Sequence, residues 1–300
     1  MNGPTSGLLL PEVLEKLGTL SLRARRIVEG ALTGLHRSPH HGASIEFAEH
    51  KEYAPGDDIR HIDWKAYGRF DKYYVKRFEQ ETNLQGHLLV DGSGSMEYQS
   101  EDATWSKREY ACVLAASLAY LLIRQQDAVG LLTFADTPNK FIPPRATTSH
   151  LRYITQALEA LRGEGGTDIV RALDHVAEVG RRRSTVIVMS DFFDTSPDLL
   201  DRLKHLRARG HDVAVFHILD PWELTFPFES LTEFEDMEDP GRKVVADPRG
   251  MREAYLEEIE EFVARVRNAC REGDVDCVTV TTDQPPDRVL IKFLAARLRR

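Results

Sequence analysis

Cysteine is scarce: three in 300 residues, Cys112, Cys270 and Cys277, an odd number without metal-ligand spacing. That excludes a disulfide framework and a thiolate metal centre, and leaves simple thiols in a reducing compartment. Long apolar runs are missing too. The most apolar helical stretch, Ala111 to Ile123, falls short of the roughly 20 residues that span a bilayer. The start, Met1-Asn2-Gly3-Pro4-Thr5, has neither the basic region nor the apolar stretch of a signal peptide. Positive charge is in deficit: 39 Lys and Arg against 48 Asp and Glu give a formal net charge of -9, which argues against general nucleic-acid binding despite the local run Arg181-Arg182-Arg183. There is no Gly-x-x-x-x-Gly-Lys-Ser/Thr run, so nucleotide hydrolysis by this chain is not expected. No internal repeat or low-complexity tract interrupts the sequence. What remains is a soluble, cytoplasmic chain with no membrane span. At 42% hydrophobic it can bury a large core, as one big α/β domain or one domain with an appendage.

The apolar pattern has a clear rhythm. Leu10, Val13, Leu14 and Leu17 recur at helical spacing, and a second helix starts near Ser21 with Leu22, Ile27, Val28, Ala31 and Leu32. Residues 34–42 read as loop, and Tyr73 to Phe78 as a strand leading into Leu88-Leu89-Val90. From there strands at 87–91, 128–134, 185–190 and 213–218 alternate with helices at about 104–125, 148–162, 168–180 and 197–209. Lys140-Phe141-Ile142 supplies a short partner strand. The alternation predicts a mostly parallel sheet with helices on both faces. Between Pro221 and Asp247 the rhythm breaks: Phe234 and Val244-Val245 flank the turn Asp239-Pro240-Gly241, which predicts a β-hairpin. An amphipathic helix through Tyr255, Ile259, Phe262 and Val266, a strand at 277–280 and a helix from about Arg288 close the chain.

The most informative motif is Asp91-Gly92-Ser93-Gly94-Ser95, placed between a buried strand and a long helix. It puts one carboxylate and two hydroxyls on a single tight loop, an all-oxygen set that suits a hard divalent cation. In an open α/β sheet, ligands bind at the carboxyl ends of the strands. Asp191, in Ser190-Asp191, ends another predicted strand at that same edge, and Thr167 follows Gly165-Gly166 at a helix entry. Taken singly, each piece reads as an ordinary turn or helix cap. Together, in this order, they resemble the metal-ion-dependent adhesion site of von Willebrand factor type A domains. The resemblance implies a Rossmann-like fold in which Asp91, Ser93, Ser95, Thr167 and Asp191 hold Mg²⁺ (or Mn²⁺ or Ca²⁺) and a partner's carboxylate completes the shell. Enzyme motifs fit less well. A phosphoryl-transfer aspartate of the haloacid-dehalogenase type wants aspartate where Ser93 stands, and a Gly-x-Ser-x-Gly elbow wants glycine at 91 and 95.

A second signature runs from Gly42 through Lys51-Glu52-Tyr53-Ala54-Pro55-Gly56-Asp57-Asp58-Ile59-Arg60-His61-Ile62-Asp63-Trp64 to Arg69 and Glu81. Joined to the downstream Asp-x-Ser-x-Ser, it closely resembles the bacterial domain-of-unknown-function 58 family; Lys51, where arginine is common, is a mild departure. Arg60, Asp63, Trp64 and Arg69 read as structural, and His40-His41 as a solvated loop. The expected organisation is an N-terminal segment, 1–83, packed on a type A-like domain, 84–300, with a hairpin insertion at about 221–250. The resemblance implies a MoxR-type AAA+ ATPase, or its client protein, as partner in chaperone-like maturation or stress response. The leading expectation is therefore a non-enzymatic, divalent-metal-dependent adaptor. The alternative is a metal-dependent hydrolase or phosphatase using the same cluster. A third reading has the acidic hairpin (Glu233, Glu235, Asp236, Glu238, Asp239) make the contacts itself.

Overall fold

The computed structural model describes residues 20–37, 51–52, 74–75 and 84–300, apart from 181–182, 194–195, 197, 240 and 298–300. Contacts divide the chain into two compact units, Met1–Leu35 with Leu84–Arg300 and, separately, His36–Asn83. In chain order the first elements are helix α1 (Leu20–Arg37) and strands β1 (Lys51–Glu52) and β2 (Tyr74–Val75). β1 and β2 pair antiparallel in the smaller unit. Tyr74–Val75 therefore pairs with Lys51–Glu52 instead of simply leading into the main sheet. The rest of the 42–81 signature, including Arg60, Asp63, Trp64 and Arg69, and the helix expected around Leu10 to Leu17 lie outside the described residues.

The larger unit continues with β3 (Gln85–Asp91), α2 (Lys107–Arg124), β4 (Ala128–Phe134), β5 (Pro138–Arg145), α3 (Thr148–Ala160), α4 (Ile169–Val179) and β6 (Thr185–Ser190). Then come α5 (Leu199–Ala208), β7 (Asp212–Leu219), α6 (Pro221–Thr225), β8 (Thr232–Glu235), β9 (Lys243–Ala246), α7 (Pro248–Glu272), β10 (Asp276–Thr281) and α8 (Pro286–Arg297). The sheet order is β10-β7-β6-β3-β4-β5. Every pairing is parallel except that of β5, which runs antiparallel to β4. This is the α/β architecture read from the sequence.

The two faces are filled from alternate residues of the same strands. Leu88, Val90, Leu131, Ile187 and Met189 join α1, α2, α3 and α8 in one core. Leu89, Leu132, Val188 and Val215 join α4, α5 and α7 in the other. Both faces being covered explains the near-continuous apolar runs of the central strands. Each such Leu, Val or Ile contributes about 1.5–3 kcal/mol by leaving water. α2 is apolar almost all round because the sheet and its neighbouring helices enclose it. β5 is longer than Lys140-Phe141-Ile142 suggested. Its prolines at 138, 143 and 144 are tolerated because it is an edge strand.

Strand order also fixes where a ligand belongs. From β3 the chain moves outward through β4 to β5, then returns to place β6 on the other side of β3. The β3/β6 boundary is thus a topological switch point, where connections leave in opposite directions and open a crevice at the strands' carboxyl ends. β8 and β9 form the expected hairpin. Rings tie it to the body: Phe228 meets Phe234 at 5.3 Å between centroids, and Phe226 stacks on Tyr255 at 4.3 Å.

Two histidines are buried near the opposite end of the strands, His87 in β3 and His211 just ahead of β7. Burial, with the His211 charge as a lesser cause, pushes His87 from 6.5 down to about 4. The unfolded chain takes up a proton here below about 6.5, while the folded chain stays neutral to about 4. Stability is therefore full above 6.5 and falls as pH drops toward 4, by about 3 kcal/mol from this side chain. Urea melts at pH 7 and pH 4.5 are expected to show that loss, and His87→Leu to reduce it; equal pH slopes in the two proteins would refute the assignment.

Candidate functional site

Asp91 ends β3 with its carboxylate wholly buried. Its Oδ1 accepts the Ser93 amide at 2.9 Å, which folds the loop back over the strand end. Its Oδ2 accepts the Ser190 hydroxyl at 2.5 Å. That second bond follows from register: Val90 pairs with Met189, so Ser190 comes alongside Asp91. Ser93 is buried, and its Oγ lies 3.1 Å from Ser95 Oγ, which a single 3₁₀ turn (Gly94–Glu97) carries.

The Thr167 loop is laced to this one. Gly94 donates its amide to Gly165 O at 2.9 Å, and Glu164 donates to Gly92 O at 3.0 Å. Gly165 has φ of +74°, which favours glycine. Asp168 rather than Thr167 caps α4, accepting from the Arg171 amide at 3.0 Å. Thr167 is left to donate its hydroxyl to Glu238 Oε1 at 3.4 Å. At Gly94 a Cβ would stand 2.1 Å from Met237 O, so the hairpin turn rests on bare backbone there.

Asp191, just beyond β6, is also wholly buried. Lys107 Nζ meets its Oδ2 at 2.7 Å, and the Phe193 amide donates to its Oδ1 at 3.1 Å. The same ammonium meets Glu223 Oε1 at 2.5 Å and lies 4.7 Å from the Phe193 ring centre. Glu223 completes a capping box on α6, its Oε2 accepting the Asp220 amide at 2.7 Å. A cavity of about 410 Å³ adjoins Ser95 and is bordered by Lys107, Phe193, Trp222, Glu223 and Glu238 among others.

The electrostatics are uneven. Burial alone would depress Lys107, but Asp191 and Glu223 outweigh it and hold the ammonium above its ordinary value. Burial, then the nearby Asp191 charge, pushes Asp91 up to about 7 even though Ser190 and Ser93 donate to it. The lysine thus compensates Asp191 and Glu223, while Asp91 accepts from the Ser190 hydroxyl and the Ser93 amide. Among the described residues no group of three His, Cys, Asp or Glu side chains is arranged to hold a metal. The donor set is instead two carboxylates with hydroxyls, the chemistry of a hard cation.

Of the five residues singled out from the sequence, Asp91 bonds to Ser93 and Ser93 to Ser95. Asp191 joins them through Ser190 and its charge, and Thr167 through the paired loops. Ser190, Lys107 and Glu223 were not singled out, and Glu238 was named only within the acidic hairpin, apart from this cluster. Lys107 carried a signal of its own, since a cation in the first turn opposes the helix dipole and calls for another reason to be there.

The chain is 27% identical over 294 residues to the uncharacterized protein Rv1480 of Mycobacterium tuberculosis (strain ATCC 25618 / H37Rv), covering 96% of this chain and 91% of that one. Among solved structures it is similar to the conserved hypothetical protein BatB from Bacteroides thetaiotaomicron, at 18% identity and a TM-score of 0.48, covering 72% of this chain and all of that one. It is also similar to a von Willebrand factor type A structure from Catenulispora acidiphila, at 13% identity and a TM-score of 0.42, covering 71% of this chain and 41% of that one. Among the described residues no helix is long and apolar enough to cross a membrane. Residues 49–264 match the family described as Protein of unknown function DUF58, and with that extent of match this chain belongs to it.

Proposed function

We propose that this chain is a non-enzymatic adaptor that binds a partner protein through a divalent cation, Mg²⁺ in the first place, held by Asp91, Ser93, Ser95, Thr167 and Asp191. The observation that carries the reading is the buried Asp91/Asp191 pair at the switch point, with Lys107 on Asp191 and hydroxyl and amide donors on Asp91. Asp191, its charge already met by Lys107, would act on the cation through water, while Asp91, whose hydrogen bonds come from a hydroxyl and an amide, and the serine hydroxyls would supply direct ligands. A cation so lightly neutralised by its own protein keeps an affinity for an outside carboxylate. Lys107, held charged, offers no lone pair for general-base work, which favours binding over hydrolysis. The family resemblance supports a MoxR-type AAA+ ATPase, or its client, as the partner.

The test is affinity capture with wild type and Asp91→Ala, in Mg²⁺ or in EDTA. The expected result is recovery of the ATPase or its client by wild type in Mg²⁺ alone. Equal recovery in every lane would move the interface off the cation. A metal-dependent turnover in a phosphatase and esterase screen, lost in Asp91→Ala, would replace the adaptor reading with the hydrolase one.

A further inference from the structure

We propose that the cavity beside the Asp91 loop is a second recognition site, an aromatic pocket that takes an arginine side chain of a partner protein. It goes beyond the cation reading and does not depend on it.

Size and shape come first. The cavity holds about 410 Å³, within the range of pockets that enclose a small ligand and ample for one long side chain. Its wall is largely aromatic: Phe193, Trp222, Phe226, Phe228, Phe234 and Tyr255. Phe226 stacks on Tyr255 at 4.3 Å and on Phe234 at 5.8 Å between centroids. Phe228 stands nearly perpendicular to Trp222 and to Phe234, at 5.4 and 5.3 Å. Rings crossed in this way form a corner with faces turned in more than one direction, not a flat patch. Trp222, Phe228 and Phe234 are only half-buried, so surface is left for an occupant. Phe226 ends α6 in the left-handed region, with φ of +45°, where glycine is usual. A phenylalanine held there against its backbone preference points to a ring whose position is needed.

Chemistry selects the occupant. The strongest donors on the wall are already spent. Lys107 Nζ is engaged by Asp191 and Glu223, Trp222 Nε1 donates to Asp102 Oδ2 at 2.8 Å, and the Tyr255 hydroxyl donates to Glu223 O at 3.0 Å. An anion therefore finds little to hold it. The wall offers ring faces and the Asp236 carboxylate, which the amides of Glu238 and Asp239 hold below its ordinary value and so ionised. Electron-rich ring faces beside a carboxylate attract a cation. Arginine suits them better than lysine, because its guanidinium is planar, stacks on rings and is more weakly hydrated.

The test uses the full chain labelled with fluorotryptophan, in EDTA so that the cation reading is not at stake. The chain has three tryptophans, and Trp222→Phe assigns the fluorine resonance that belongs to the pocket. N-acetyl-arginine amide, which reproduces a residue within a chain, is expected to shift that resonance saturably. N-acetyl-norleucine amide, with an apolar stem and no charge, is expected to bind about tenfold more weakly. Phe228→Leu keeps an apolar wall but removes a ring face, and should weaken the arginine derivative about fivefold while leaving norleucine unchanged. Asp236→Asn keeps an Oδ1 for the turn amides and should weaken the arginine derivative about threefold. The absence of a saturable shift with the arginine derivative overturns the proposal, as does norleucine binding equally well. Full arginine affinity in both Phe228→Leu and Asp236→Asn overturns it too.

Discussion

Asp91→Asn is expected to abolish divalent-cation binding and at the same time to raise the stability of the cation-free protein. Asparagine has the shape of aspartate, so its Oδ1 can keep the Ser93 amide and its Nδ2 can donate to Ser190 Oγ in place of the bond it loses. What disappears is a negative charge buried next to Asp191. The folded protein holds the Asp91 proton up to about 7, whereas the ordinary value is 3.8. Its contribution therefore declines as pH rises from 3.8 and is most unfavourable above 7, a cost of a few kcal/mol at pH 8. Removing the charge removes that cost, and removes the ligand that a cation most needs. Calorimetry at pH 8 is expected to show the Asn variant melting several degrees above wild type in EDTA. Excess Mg²⁺ should raise wild type and leave the variant unmoved. A variant that melts below wild type in EDTA, or still gains from Mg²⁺, contradicts the electrostatic account.

The opposite outcome is expected at Lys107. Its side chain is 1% exposed and lies between Asp191, at 0%, and Glu223, at 12%. Lys107→Met fills nearly the same volume but strands two buried carboxylates, and breaking a buried pair in this way costs about 3–5 kcal/mol. The loss is not a measure of the ion pair's net worth, because most of it is the desolvation of the partners left behind. Urea denaturation should show it, and adding Glu223→Gln to Lys107→Met should recover part of it by neutralising one of the stranded groups. A loss below about 1 kcal/mol would mean that the carboxylates are hydrated or protonated without the lysine.

The two positions differ in how far the sequence revealed them, for a physical reason. Asp91, Ser93 and Ser95 lie within five residues, and a strand end followed by a helix start fixes their placement locally. Lys107 meets partners 84 and 116 positions away, so nothing in its own neighbourhood names them. Ser190 stood next to an expected ligand, but its bond to Asp91 depends on the β3/β6 register, which an apolar run does not specify. The central strands were legible because burial on both faces leaves unbroken apolar runs. β5 was read short because proline masks an edge strand. α6 was missed although Asp220-Pro221-Trp222-Glu223 carries a capping box with proline at its first position, because the break in the strand–helix rhythm hid it. The hairpin was legible from its turn, but that its tip reaches Gly94 and Thr167 was not.

The bond from Ser190 to Asp91 closes a separation of 99 positions, that from Lys107 to Glu223 one of 116, and that from Thr167 to Glu238 one of 71. Any contiguous fragment that holds the site must run from Asp91 to Glu238. On a ribosome, where the chain emerges from its N-terminus, Asp91 waits for β6 to register beside it, and the hairpin arrives later still. A nascent or truncated chain that stops short of the hairpin therefore leaves uncovered the Gly94 backbone on which Met237 rests, so a covered Asp91 loop is a late product of synthesis.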